Sequence, residues 1–315
     1  MEELFAGQVK ALVANIEQLV FGKHEIVKLC VTGLLARGHI LIEDVPGIGK
    51  TTIAQAISRS IDCTFSRVQF TNDMLPSDIL GVSILDPKTN AFTFRHGPIF
   101  ASVVLADEVN RTPPKTQSAL LEAMSEYQVS VDGISHQLPR PFMVLATQNP
   151  IEYEGTYTLP ESQLDRFLLR TEMGYPPTED ELRIMRRRDP LKAIHDLKPV
   201  LRAEELIRLQ DRVGQVRVDE SVAQYMLSIV QGTRTHEQVQ LGASPRGSLA
   251  YYEACQAYAL VEGRDYVTPG DVKRMAVPVL SHRVLVKSRG ADLASASRER
   301  ERVVHEIVKG VKVPE

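Results

Sequence analysis

Apolar residues recur at helical spacing near the start of the chain, at Leu4, Val9, Leu12, Val13, Ile16 and Leu19, and predict a helix over 3–19. Gly22 breaks the pattern. A second helix is expected over 23–37, through Ile26, Val27, Leu29, Cys30, Leu34 and Leu35, with Gly38 as its stop. The period then changes. HILIED at 39–44 is a short apolar strand, followed by a glycine-rich turn and a helix from Lys50 to Ser60. Further strands are expected at 64–70, 101–106, 141–147 and 166–171, with a helix over 114–126 among them. Apolar strands alternating with helices argue for an α/β fold whose parallel sheet is covered on both faces.

Two stretches interrupt that alternation. Residues 81–100 hold a turn at Asp86–Asn90 between alternating runs, and 127–140 hold Asp132-Gly133, a strong hairpin signal. Both predict β-hairpins inserted into the core. Gly174-Tyr175-Pro176-Pro177 marks a boundary. Beyond it helices are expected at 178–188, 203–213, 219–235, 244–262, 269–280 and about 292–308, with no strong strands. The expected organisation is an α/β core over 1–175 and a helical domain over 176–315.

Composition adds limits. With 43% hydrophobic and 24% charged residues among 315, the chain reads as globular and soluble. Basic and acidic residues nearly balance, 37 against 40, so nothing demands nucleic acid or an anionic membrane. Cys30, Cys63 and Cys255 are scattered, which argues against a disulfide framework or zinc site and for a reducing, cytoplasmic setting. The acidic start MEELFAGQVK does not read as a secretory signal, and no window holds the roughly 20 apolar residues of a membrane span.

The chemistry concentrates at strand ends. EDVPGIGKTT at 43–52 has the parts of a phosphate-binding loop. Gly47 and Gly49 let the backbone approach phosphates, Lys50 is the cation and Thr51 a hydroxyl for magnesium. Asp44 stands where the usual motif has glycine, which leaves a chance glycine-rich turn as the other reading. Asp107-Glu108 ends the strand at 101–106. An Asp there holds magnesium through water and the next Glu can take a proton from the attacking water, although an acidic strand end facing solvent is common. Asn149 ends the following strand and can orient the lytic water, or simply form a turn with Pro150. Arg166 and Arg246 are candidates for a γ-phosphate arginine, or ordinary ion-pair partners. The run Arg183, Arg186, Arg187, Arg188 reads as a solvated helix face.

Taken together and in order, these motifs resemble those of AAA+ ATPases, and within them the MoxR family. LIEDVPGIGKTT resembles its Walker A, in which Asp44 is familiar. LADEVNRTPPKTQSALLEAM resembles its Walker B, ATQNPIEYEGTYTLPESQLDRFLL its sensor 1 through arginine finger, and GASPRG its sensor 2. The resemblance implies ATP and Mg²⁺ as cofactors. Pro46, Gly47, Ile48, Gly49, Lys50, Thr51, Thr52 and Asp107 would hold the nucleotide, with Thr51 and Asp107 toward the metal. Glu108 would be the base, Asn149 sensor 1, Arg166 the arginine finger acting on a neighbour's ATP, and Arg246 sensor 2, reporting the γ-phosphate to the lid. Arg111 or Arg170 could share the finger's role, and Phe21 to Lys23 would border the adenine. The hairpins would be the helix-2 insert and the pre-sensor 1 hairpin. The expected assembly is a hexameric ring. The expected role is chaperone-like, maturing or activating protein clients that often carry von Willebrand factor A domains. A DNA-directed motor is the alternative, though the hairpin tip VDGIS holds no cation. A non-hydrolysing nucleotide-gated scaffold is a third.

Overall fold

The computed structural model describes residues 2–88, 90–150, 156–187, 189–287 and 293–314. Two helices, α1 (Glu2–Glu17) and α2 (His24–Leu35), lead into β1 (Ile40–Glu43) and α3 (Lys50–Ser60). Then come β2 (Phe65–Gln69), α4 (Pro76–Leu80) and the hairpin β3 (Gly81–Asp86) with β4 (Ala91–His96). β5 (Val103–Asp107) and α5 (Pro114–Glu126) are followed by a second hairpin, β6 (Gln128–Val131) and β7 (Ile134–Gln137). β8 (Met143–Gln148), α6 (Glu161–Leu164) and β9 (Leu169–Thr171) complete the first part.

The five strands of the main sheet run in the order β2-β5-β8-β1-β9, and each adjacent pair is parallel. β1 and β8 are buried along their whole length, which is why they read as continuous apolar runs. Alternate side chains serve two cores. Ile40, Ile42, Val103, Leu105, Met143 and Leu145 face α1, α2 and α3, while Leu41, Val104, Ala106, Val144 and Ala146 face α5.

The remainder holds α7 (Thr178–Arg186), α8 (Pro190–Asp196), α9 (Ala203–Val213), α10 (Glu220–Thr235), β10 (Val239–Leu241), α11 (Pro245–Val261), α12 (Pro269–Leu280), β11 (Leu285–Val286) and α13 (Leu293–Gly310). Asp219 caps α10, and Thr268 with Asp271 forms the capping box of α12, as their spacing predicts. One apolar cluster runs from Val9 through the sheet to Val308, so the core crosses residue 175 without a break.

Several expectations are corrected. The strand expected over 166–171 begins only at Leu169, because Arg166 and Phe167 complete a turn after α6. α4 and α8 were too short to show a period, and α8 begins at a proline behind an Asp189 cap. The helical part also contains an antiparallel pair, β10 with β11, whose strands are three and two residues long. Arg188, residues 151–155 of the sensor 1 stretch and residue 292 of the last helix lie outside the described residues.

His39 sits fully buried at the N-terminal end of β1. Its Nδ1 accepts from the Val144 N–H and its Nε2 lies 3.0 Å from the Met124 carbonyl, which fixes the neutral tautomer with the proton on Nε2. Burial pulls its pKa down to about 4, against the Met124 carbonyl. A base depressed in the folded state costs stability as pH falls, because the unfolded chain takes up the proton first. The fall begins near pH 6.5 and ends near pH 4. At pH 5 the loss amounts to about 2 kcal/mol for this residue. Denaturant titrations at pH 7.5 and 5 check this, and His39→Gln should flatten the difference.

Candidate functional site

The phosphate loop joins β1 to α3. Gly47 and Gly49 take φ of +85° and +99°, a region that L side chains avoid. A Cβ on Gly47 would meet nothing within 4 Å, so the cradle is open. Gly49 is the residue before α3, whose N-terminus therefore opens onto the loop. Lys50 donates from Nζ to the Asp44 carbonyl at 2.8 Å. Burial lowers its pKa while Asp107, Asp44 and Glu108 oppose the fall, so the three carboxylates converge on this ammonium. The Asp44 carboxylate accepts from the Val45 N–H at 2.8 Å and from the Gly174 N–H at 2.5 Å. That gives the side chain a reason to replace glycine: it ties the loop to the chain leaving β9.

Asp107 is the last residue of β5. Its Oδ1 accepts from the Thr147 hydroxyl at 2.5 Å and its Oδ2 from Arg67 at 2.8 Å. Glu108 follows with φ +59°, a left-handed conformation that costs a non-glycine residue about 1 kcal/mol and turns the carboxylate off the strand axis. Its Oε2 accepts from Gln69 at 2.6 Å and pairs with Arg111 Nε at 2.9 Å. Arg67, Gln69 and Thr147 escaped the sequence reading, since β2 and β8 read only as apolar strands; period-two counting from Phe65 would have put Arg67 and Gln69 on one face. Asn149 directly follows β8, is buried, and accepts from Asn110 at its carbonyl at 3.5 Å. A threonine hydroxyl and a strand-end carboxylate are hard oxygen donors of the kind magnesium takes beside nucleotide phosphates. No cluster of three or more His, Cys, Asp or Glu suited to a metal occurs among the described residues.

Beside the loop lies a pocket of about 400 Å³, lined by Phe21, Lys23, Gly47, Thr52, Met173, Tyr175 and Arg187 among others. Lys23 donates to the Tyr175 carbonyl at 2.6 Å. Gly22 has φ +67°, and a Cβ there would collide with Pro177 and Asp180. The Arg183 and Arg187 guanidiniums stack 4.3 and 4.7 Å from the centre of the Phe21 ring. Of the basic run, Arg187 thus lines the pocket, while Arg183 and Arg186 are exposed as expected of a solvated face.

Arg166 and Arg246 lie elsewhere. Both line a cleft of about 640 Å³ with Gly38, His39, Tyr127, Asp165, Leu168 and Arg283. Gly38 and His39 precede β1 and Leu168 precedes β9, so this cleft is at the N-terminal ends of parallel strands whose C-terminal ends carry the phosphate loop. The four residues of β1 alone separate the two by about 13 Å. In this structure Arg246 therefore faces that cleft and not the phosphate loop of its own chain. Arg166 is held by the Leu121 carbonyl at 2.7 Å and Ser125 at 3.0 Å, while Arg246 is exposed. Asp165 clamps their elements together: it accepts from Arg283 at 2.8 Å and from Ser244, the α11 cap, at 3.3 Å. Burial pulls the Arg283 guanidinium down to about 10, against Asp165.

Arg170 is no finger. It is 3% exposed and pairs with Glu43 at 2.6 Å, Glu301 at 2.6 Å and Glu172 at 3.1 Å. Burial disfavours its charge, but Glu43 and Glu301 outweigh that and raise its pKa. Glu43 also accepts from Gln148 and from Ser297 of α13, each at 2.9 Å. This buried cluster fastens the last helix to the sheet beside Asn149.

Known proteins share this layout. The model of the ATPase family associated with various cellular activities (AAA) matches residues 39–169, and that of the AAA lid domain matches 231–309. The uncharacterised protein YeaC of Bacillus subtilis is 51% identical, over 96% of this chain and 93% of its own. Chaperone MoxR1 of Mycobacterium tuberculosis is 40% identical, over 99% and 85%. A crystal structure from Cytophaga hutchinsonii, of a protein assigned as an ATPase, superposes with TM-score 0.89 at 33% identity, covering 100% of this chain and 97% of that one.

Asp165→Asn should leave Arg283 buried without its carboxylate and cost about 3 kcal/mol of stability. Chemical denaturation measures the loss, while nucleotide affinity of the isolated subunit should hold, since the phosphate loop lies at the other end of the sheet.

Proposed function

Because this chain belongs to the MoxR family of AAA+ ATPases, we propose that it hydrolyses ATP as a ring-forming, chaperone-like motor on folded protein clients. The observation that carries the assembly is the separation of Arg166 and Arg246 from their own phosphate loop. Two arginines in an accessible cleft, on the end of the sheet away from Lys50, fit a site completed by a neighbouring subunit.

In this reading Lys50 leaves the Asp44 carbonyl for the β and γ phosphates, and the loop's N–H groups take the remaining oxygens. Thr51 and Asp107 would hold magnesium, which would neutralise phosphate charge. Asn149 orients the lytic water. Glu108 takes the water's proton as the water oxygen bonds to the γ-phosphorus and the bond from that phosphorus to the β–γ bridging oxygen breaks, releasing ADP; Gln69 and Arg111 both engage Oε2, which leaves the carboxylate lone pairs for that proton. Arg166 of one subunit meets charge building on the next subunit's γ-phosphate, and Arg246 accompanies it from the lid. Phe21, Lys23 and Arg187 border the adenine. The six-fold stoichiometry and clients with von Willebrand factor A domains follow from the family resemblance. A chaperone name in a 40%-identical relative supports a protein client. No observation favours the DNA-directed alternative: the β6–β7 turn carries Asp132 and Gly133. No helix among the described residues is long and apolar enough to cross a membrane.

Mixing two inactive variants tests the shared site. Lys50→Ala should lose nucleotide binding, and Arg166→Ala should bind ATP yet hydrolyse it about a thousandfold more slowly. A mixture should regain hydrolysis, because some interfaces then pair an intact loop with an intact arginine. A mixture as inactive as its parts would count against completion in trans. Glu108→Gln should retain ATP and co-purify the client; parental turnover in that variant would remove Glu108 from the role of base.

A further inference from the structure

Arg67 has no part in the reading above, yet it touches the residue on which magnesium binding turns. Both oxygens of the Asp107 carboxylate are engaged. Oδ1 takes the Thr147 hydroxyl at 2.5 Å and Oδ2 takes Arg67 at 2.8 Å. Thr147 is fully buried and its oxygen also accepts from the Glu108 N–H at 2.9 Å, so the strand register holds it in place. The Arg67 side chain is 49% exposed and projects from β2, the edge strand of the sheet. A cation that reaches Asp107 through Oδ2 finds a guanidinium already there, and of the two partners only the guanidinium is free to swing into water.

We propose that Arg67 is a positioning residue that neutralises Asp107 before nucleotide loading and releases it when nucleotide-bound magnesium arrives. The proposal rests on Asp107 as the magnesium residue. It has a second consequence. Arg67 also donates to Gln69 Oε1 at 3.2 Å, and Gln69 donates to Glu108 Oε2 at 2.6 Å. The metal carboxylate and the base therefore end one hydrogen-bonded chain. When Arg67 swings away, Gln69 Oε1 loses that donor while its Nε2 still faces Glu108 Oε2.

The test measures binding and not turnover. A fluorescent, non-hydrolysable ATP analogue is bound to the full-length protein and titrated with Mg²⁺. Arg67→Gln should lower the half-saturating Mg²⁺ concentration about twofold to fivefold, the range set by a half-exposed ion pair. Arg67→Lys, which keeps the charge, should stay near the parent. Asp107→Asn should raise the requirement. If Asp107→Asn raises it while Arg67→Gln leaves it unchanged or higher, the role of Arg67 is overturned and the magnesium site stands. If Asp107→Asn has no effect, the magnesium assignment fails and takes the inference with it.

Discussion

Five parallel strands point the same way, and the placement of every functional group follows from that direction. Strand C-termini bring the phosphate loop, Asp107-Glu108 and Asn149 to one edge. Strand N-termini, with the turn after α6 and the start of α11, bring Arg166 and Arg246 to the other. The proposed division of the site between neighbours rests on this sheet polarity, and under it hydrolysis would be conditional on assembly.

Electrostatics then organises the loop edge. Lys50 lies among three carboxylates, and each carboxylate has another partner: Asp44 has backbone N–H groups, Asp107 has Arg67 and Thr147, and Glu108 has Gln69 and Arg111. Negative charge gathered to receive a metal would repel itself if left bare. Of these partners, the Arg67 and Arg111 side chains reach solvent, while Thr147 is buried in the sheet. Farther back, Glu43 and the buried Arg170 join Glu301 of α13 to β8, the strand that Asn149 follows. The 174–177 link is held at Asp44 and Lys23, so the nucleotide pocket and the helical part share contacts as well as a core.

Hydrophobic periodicity was enough to show the alternation of strands and helices, both hairpins and most of the C-terminal helices. Each of those elements is long enough for a period to register, or is closed by a turn such as Asp132-Gly133 whose chemistry is local. α4, α8 and the short pair β10–β11 left no mark, because a few residues cannot establish a period and their stability comes from packing on longer elements. The strand at Leu169 read too early because Phe167 and Leu168 are buried in a turn as thoroughly as in a strand.

The placement of Lys50, Thr51, Asp107, Glu108 and Asn149 at strand ends could be read from the chain itself, since each sits at a fixed offset from a strand end or a glycine turn. The partners of those residues could not. Arg67 and Asp107 are forty positions apart, and Asp165 and Arg283 lie farther apart still. Whether an arginine serves a buried ion pair, a pocket wall or a neighbour's phosphate depends on which surface the fold turns it toward. Arg170 is in a buried ion pair, Arg187 lines the pocket beside the phosphate loop, and Arg246 is exposed in the cleft at the other end of the sheet. Local spacing carries the chemistry of a loop; only the packed sheet decides which edge each distant side chain reaches.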